Sequence, residues 1–578
     1  MPDWTYQPLR GIAGALLGVR RSRRLALRVL AWTGSLPGGG RAVARLLGHR
    51  HPPSHLAGTA GGVAVRSRLG AAVPPGVARD AVRALPPLGA GLILVEPVEL
   101  ADVPLVRAAA ARRKVPVLAR TEDPAVAAAL APHVDAVLMA AVDPVRTAGV
   151  DVVRTEGVGP VRTAGVYVVP AAGVDVVRAA GVDVVRVGGV DPVRAAGVDL
   201  VLAAGDGDGC GQGCHPDIVR PVSPSARRAA RVLADPAKIV LATPALLIEA
   251  GPGWFGRVME AATPTAPAPA LRDAGLDPRR WPAWCWGLVA GAIMALAGLV
   301  AAAVTLGPVL LWYDRAFLGM SPDALHAVNH HLVHFLRHDR ITLAGTMVAI
   351  GVLYAGLAAG GMRRGWPWAR EAYLVSGAIG FAAVLYVFAH GYVEPLHAAL
   401  TAVLLPMFLA ATRRTPGLPR WTTRQEGPER DRRRALTGQL LMVVTGIGLF
   451  AGGVAVSAVG LTGVFVVSDL EFLGTGPDAL RAANLRLLPF IAHDRAGFGG
   501  ALMAAAVAIT LLSAWGWRRG ESWVWWTLAL AAVAGFVPAV VTHLVIGYAD
   551  FWHLAPVLAG MALTATALTL GRPYLTAR

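Results

Sequence analysis

Residues 314–340 read DRAFLGMSPDALHAVNHHLVHFLRHDR, and residues 469–495 read DLEFLGTGPDALRAANLRLLPFIAHDR. The two segments align without a gap at an offset of 155, with 15 identities in 27 positions. Asp314, Asn329, His338, Asp339 and Arg340 recur as Asp469, Asn484, His493, Asp494 and Arg495. The offset persists through Gly361-Met362-Arg363-Arg364-Gly365 and Gly516-Trp517-Arg518-Arg519-Gly520. After a slip of one residue, Gly391-Tyr392 with Glu394 and His397 matches Gly547-Tyr548 with Asp550 and His553. This half of the chain is therefore one unit, duplicated.

Apolar segments flank both copies. A membrane-spanning helix needs about 20 predominantly apolar residues, and no charged residue occurs between Arg280 and Asp314. Further candidate spans cover 341–361, 372–393, 395–412, 436–467, 496–516, 523–547 and 553–571. The expected fold here is an all-α polytopic membrane domain of eight transmembrane helices. It comprises repeat 1 (284–412), a basic loop (413–434), repeat 2 (435–571) and a tail (572–578). An even number of spans per unit gives two parallel four-helix repeats, related by an axis along the membrane normal. Arginines gather in alternate connections: Arg363, Arg364 and Arg370, then Arg413 to Arg434, then Arg518 and Arg519, then Arg572. Because basic loops stay on the cytoplasmic side, both termini are expected in the cytoplasm of a multi-pass cell-membrane protein.

The repeated polar residues then face the outside. Pro322 and Pro477 sit where a helix would start, and Leu325, Leu332 and Phe335 would share one apolar face, so each loop reads as a short interfacial helix. His338-Asp339-Arg340 and His493-Asp494-Arg495 end these loops at the mouth of the second span, and His397 and His553 open the fourth. Imidazole and carboxylate are ordinary ligands of zinc or iron and ordinary parts of a proton-responsive site. The candidate metal set is His338, Asp339, His397, His493, Asp494 and His553. Asp314, Asn329, Arg340, Glu394, Asp469, Asn484, Arg495 and Asp550 are structural or ligand-binding candidates. Loop tethering, metal or ligand binding, and proton coupling all remain open. If the imidazoles converge, each unit supplies a pair, His338 with His397 and His493 with His553. His326, His330, His334 and His338 add an unrepeated stripe at i+4 steps.

Composition bounds the rest. Of 578 residues 55% are hydrophobic and 16% charged, too apolar for an ordinary soluble protein. The net charge is +17, and Lys114 and Lys238 are the only lysines, an arginine bias typical of GC-rich bacterial genomes. The arginines border apolar spans, so the partner they imply is the lipid bilayer and not nucleic acid. The sequence sets no oligomeric state. Cys285 lies in a span, and Cys210 and Cys214 lie in a Gly-rich loop before His215, so no disulfide framework or haem attachment is expected. The apolar stretch Gly11–Val19 is flanked by Arg10 and Arg20 and lacks a cleavage site, unlike a signal peptide.

Residues 1–50 are basic and amphipathic. Residues 51–262 form a further domain in which 100–141 alternate between helix and strand: Pro104–Arg113 helical, Val115–Arg120 a strand, Asp123–His133 helical and Val134–Met139 a strand, with Lys238–Glu249 another strand before a helix near Val258. Such alternation predicts a parallel α/β sheet or barrel, joined by a 263–283 linker to the spans. Eight octads of the form Val-Asp-x-Val-Arg-x-x-Gly fill 142–205. They read as a tandem expansion of one strand, forming a short solenoid or a surface excursion, with a binding array less favoured on composition alone.

Residues 6–46, Gly61-Gly62-Val63 through Leu69-Gly70-Ala71-Ala72-Val73-Pro74, Leu88–Glu96 and 245–258 resemble the membrane-associated (class 2) dihydroorotate dehydrogenases. The resemblance implies a TIM-type flavin barrel that oxidises dihydroorotate with quinone as acceptor. Where that family keeps a flavin-contacting lysine, this chain has Pro74 and Pro75, and its Asn-rich substrate motif and catalytic serine have no counterpart. The reading is thus a degenerate TIM-barrel-like domain, catalytically inactive, beside an outward His/Asp site. Its alternatives are an active FMN-dependent dihydroorotate dehydrogenase fused to a membrane domain, and a transporter. No cofactor is assigned beyond FMN if the barrel is active and a metal ion at the outer face.

Reporter fusions at Trp421 and after Arg578 are expected to report cytoplasm, and fusions at Pro322 and Pro477 the exterior. A swap at any of the four sites would overturn this topology.

Overall fold

The structure is a computed structural model. It describes residues 3–47, 53–140, 166–170, 174–179, 182–187, 218–221, 224–388, 392–414 and 427–577. The chain divides into two compact units, Met1–Pro264 and Thr265–Arg578.

In the first unit, α1 (Asp3–Leu17), α2 (Val19–Ser35) and α3 (Gly39–Leu47) carry the basic N-terminal stretch. Ile12, Leu16 and Trp32 remain exposed along it, as an amphipathic segment requires. An antiparallel pair follows, β1 (Gly58–Ala60) and β2 (Val63–Val65). Strand and helix then alternate through β3 (Leu69–Val73), α4 (Pro75–Ala84), β4 (Ile93–Val95), α5 (Val103–Ala110), β5 (Val117–Thr121), α6 (Pro124–Leu130) and β6 (Ala136–Ala140). Proline opens α4, α5 and α6, where its missing N–H breaks no helical bond. After β7 (Val166–Pro170), β8 (Val174–Ala179) and β9 (Val182–Val187) come β10 (Ile218–Val219), α7 (Ala226–Leu233), β11 (Ile239–Ala242), α8 (Pro244–Ala250) and α9 (Trp254–Ala262).

The main sheet has the order β10-β11-β3-β4-β5-β6-β7. It is parallel from β10 to β6, with β7 antiparallel at the edge. The late strand β11 thus lies beside the early strand β3, and the sheet forms a half-barrel. Its strands β3, β4 and β11 are buried along their whole length, as strands covered on both faces must be.

Two expectations change. Lys238–Glu249 is not one strand: β11 stops at Ala242, because Thr243 caps α8 by accepting the Leu246 N–H at 3.2 Å and Pro244 opens that helix. Most of the octads, with Cys210, Cys214 and His215, lie outside the described residues. Where octads are described, β8 and β9 pair antiparallel with Val174 opposite Val187, which is hairpin pairing and not the parallel stacking of a solenoid.

In the second unit, eight described helices are long and apolar enough to cross a membrane, which fits a polytopic membrane protein. The first half contains α10 (Ala283–Leu306), α11 (Trp312–Leu318), α12 (Pro322–Val328), α13 (Leu332–Gly356), α14 (Pro367–Phe388) and α15 (Pro395–Thr412). The second half follows the same order with α16 (Glu429–Leu461), α17 (Val467–Leu473), α18 (Pro477–Ala483), α19 (Leu487–Gly516), α20 (Ser522–Ile546) and α21 (Phe551–Leu575). Each repeated loop therefore holds two short helices, not one. Gly319 and Gly474 separate them in the left-handed conformation, with φ of 67° and 62°.

Within each half the first long helix packs on the second, α10 on α13 and α16 on α19. Glycine permits the close approach: a Cβ on Gly298 or Gly453 would lie 2.8 Å from the carbonyl oxygen of Ala344 or Gly499. The third helices cross over, α14 packing on α19 and α20 on α13. Each half thus contributes a wall to the other, and this places the repeated polar residues.

Candidate functional site

The His-Asp-Arg triplets do not end the loops. They lie in the second and third turns of α13 and α19, with His338, Asp339, His493, Asp494 and Arg495 all buried. Arg340 donates to Asp314 at 2.9 Å within its own half and to Asp494 at 2.8 Å in the other. Arg495 does the same, to Asp469 at 2.6 Å and to Asp339 at 3.1 Å. Each guanidinium also donates to a backbone carbonyl, of Val309 at 2.8 Å and of Val464 at 2.7 Å. Those two valines hold φ of 63° and 67°, a strained conformation for a β-branched residue, which the arginines stabilise from outside the turn. Arg340 also lies over the ring of Phe490, and Arg495 over that of Phe335.

Asp314 and Asp469 carry further bonds. Each accepts a backbone N–H at the start of its short helix, from Leu311 at 3.0 Å and Val466 at 2.8 Å. Each accepts a phenol as well, from Tyr392 at 2.7 Å and Tyr548 at 2.8 Å. Burial, and then the neighbouring carboxylate, pushes both phenols above the usual tyrosine range, so they stay protonated donors at neutral pH. Asn329 donates to the Leu473 carbonyl and Asn484 to the Leu318 carbonyl, both at 2.8 Å, so the asparagines are cross-ties between the halves.

Two groups of potential ligands sit beside this network, each within 4.8 Å ligand atom to ligand atom: His338, His543 and His553, and Glu394, His397 and His493. The histidine pairing is exchanged relative to the expectation from sequence. His338 meets His553 of the other half and His493 meets His397, with α20 packed on α13 and α14 on α19 while α21 and α15 pack on α16 and α10 of their own halves. Asp550 serves instead as the cap of α21, accepting the His553 N–H at 2.6 Å. The stripe holds only in part: His326, His330 and His334 stay in successive contact, with ring centroids 4.5 and 5.7 Å apart, while His338 turns inward away from them.

The first group is made of three imidazoles. His338 Nδ1 faces Asp339 at 2.9 Å and His543 Nδ1 faces the Ala539 carbonyl at 2.6 Å. Carbonyl and carboxylate oxygens only accept, so both Nδ1 atoms carry the proton and both Nε2 lone pairs stay available. His543 Nε2 is buried without a partner. His553 Nδ1 lies 3.3 Å from Ser468 Oγ and 3.2 Å from the Tyr548 hydroxyl.

In the second group Glu394 accepts from Tyr313 at 3.0 Å, pairs closely with His397 Nδ1 and lies 3.8 Å from His493 Nε2. Burial would raise this carboxyl, but His397, His493 and Arg340 hold it well below the usual carboxylate range. His543 was missed in the sequence because neither residue that can align with it across the one-residue slip, Val387 or Phe388, is a histidine. The signal for it was an imidazole inside an otherwise apolar span.

In the first unit, the C-terminal ends of the strands carry Glu96 facing Arg220 at 2.6 Å and Arg120 at 3.5 Å. These residues do not fit a flavin. Pro74 and Pro75 bring neither ammonium nor N–H to the turn after β3, and the two guanidiniums already face a carboxylate. Comparison with protein-family models, with curated proteins and with solved structures found no match to this chain.

Arg340→Met leaves Asp314 and Asp494 buried without their cation. It is expected to lower stability by about 3–5 kcal/mol in micelles, read by denaturant unfolding. Adding Asp494→Asn should recover part of that loss; simple additivity would show that the pair is not coupled.

Proposed function

We propose that this is a metal-binding polytopic membrane protein whose centre is the tri-histidine group of His338, His543 and His553. The carrying observation is the arrangement of three imidazoles from three helices, two of them with Nδ1–H tied to an acceptor. Metal-ligating histidines are held in this way, since the acceptor fixes the tautomer and aims the other nitrogen. Three nitrogens at about 2.0–2.1 Å complete three corners of a tetrahedral zinc or similar site and leave the fourth open to water or another ligand. The partner carboxylate of His338, Asp339, is tied in turn to Arg495, so the centre is braced by the network that joins the halves.

In this reading the halves are parallel four-helix repeats in a cell membrane. The arginine-rich connections support a cytoplasmic location for both termini and an outer location for the histidines. The N-terminal unit is a degenerate relative of the flavin barrels without dihydroorotate dehydrogenase activity, which the unsuited residues at its strand ends support.

The test is metal content, and the cobalt absorption spectrum, of detergent-purified protein equilibrated with zinc or cobalt. About one ion per chain and tetrahedral cobalt bands are expected for the wild type. His338→Ala and His543→Ala should each abolish binding, the double variant should add little, and His397→Ala should retain it. No ion in the wild type, or equal loss in His397→Ala, overturns the assignment.

A further inference from the structure

The second ligand group opens on a different kind of space. A cavity of about 110 Å³ runs between α10, α13, α14, α15 and α19, with His397 and His493 in its wall. The rest of the wall is mainly apolar, including Met347, Phe381 and Phe408, with hydroxyl-bearing Tyr354, Tyr373 and Thr401 among them. An apolar cavity of about 150 Å³ stays dry and takes up benzene, so this space suits a body of one aromatic ring. His493 is only 6% exposed and its Nδ1 has no hydrogen-bond partner. Such an atom costs about 1–3 kcal/mol if left unsatisfied. Its Nε2 faces the Glu394 carboxylate, which can only accept, so the proton belongs on Nε2 and Nδ1 presents a lone pair.

We propose that this chamber binds a lipid-soluble phenol, with the ring in the apolar space and the hydroxyl donating to His493 Nδ1. The site is separate from the tri-histidine centre and needs no metal. A pocket built to pair a hydroxyl discriminates strongly against the analogue that lacks it, because the buried acceptor is then left alone. Gly497 lies one turn beyond His493 on α19 and lines the same chamber, and a Cβ built there meets nothing within 4 Å. A larger residue at that position therefore enters the space without a backbone clash.

The experiment compares 4-fluorophenol with fluorobenzene by ¹⁹F NMR titration of chelator-treated full-length protein in micelles, with empty micelles as reference. Wild type is expected to bind both saturably and the phenol at least about tenfold more tightly. His493→Leu should keep fluorobenzene binding, which also reports that the chamber is folded, and lose the preference. Gly497→Leu should lose both ligands with its thermal transition intact. Equal affinities in the wild type, no saturable binding, or a preference that survives His493→Leu would overturn the proposal. Chelation removes the metal from the first site, so neither proposal's failure can be mistaken for the other's.

Discussion

Two buried guanidiniums organise the membrane unit. Arg340 and Arg495 each hold one aspartate of their own half, one aspartate of the other half and the carbonyl of a strained valine. A buried cation is tolerated only when it is paired and its remaining donors are satisfied. Here that requirement can be met only with both halves present, because Asp494 completes Arg340 and Asp339 completes Arg495. The phenols of Tyr392 and Tyr548 and the cross-ties from Asn329 and Asn484 extend the same reciprocity to the loops. Neither half satisfies its buried polar groups alone.

The two halves offer corresponding positions that carry different residues. Where the second half has His543, the first has the apolar Val387 and Phe388, and where the first has Glu394, the second has Asp550. The extra imidazole makes one group a set of three nitrogen donors. Glu394 reaches His397, whereas the shorter Asp550 folds back on the amide of His553 to cap α21. That difference of one methylene leaves the second group a carboxylate-bearing site that opens onto an apolar chamber. The reciprocal arginine frame reaches both groups, since Arg495 holds Asp339 beside His338 and Arg340 holds Asp494, the neighbour of His493 in sequence.

The N-terminal unit has a different logic. The half-barrel is held by apolar strands with helices on them, and its strand ends carry an internal ion pair between Glu96 and two arginines. Pro74 and Pro75 after β3 start α4 directly at the strand end.

The eight spans were legible because membrane insertion is a local requirement on length and apolarity, and the repeated 27-residue segment announced the duplication. The alternation of helix and strand before them was legible for a similar reason, since proline and apolar runs act within a few residues. The strand predicted over Lys238–Glu249 failed at one cap, Thr243-Pro244, where a helix start competed with an apolar run. The sequence also named His338, His397, His493 and His553, but paired them within each half. Which imidazoles meet depends on how the halves pack, with α14 and α20 lying on the other half and each arginine of α13 or α19 taking a carboxylate 154 or 156 residues away. Such a requirement is met only in three dimensions, so the residues were written in the sequence and their partners were decided by the packing.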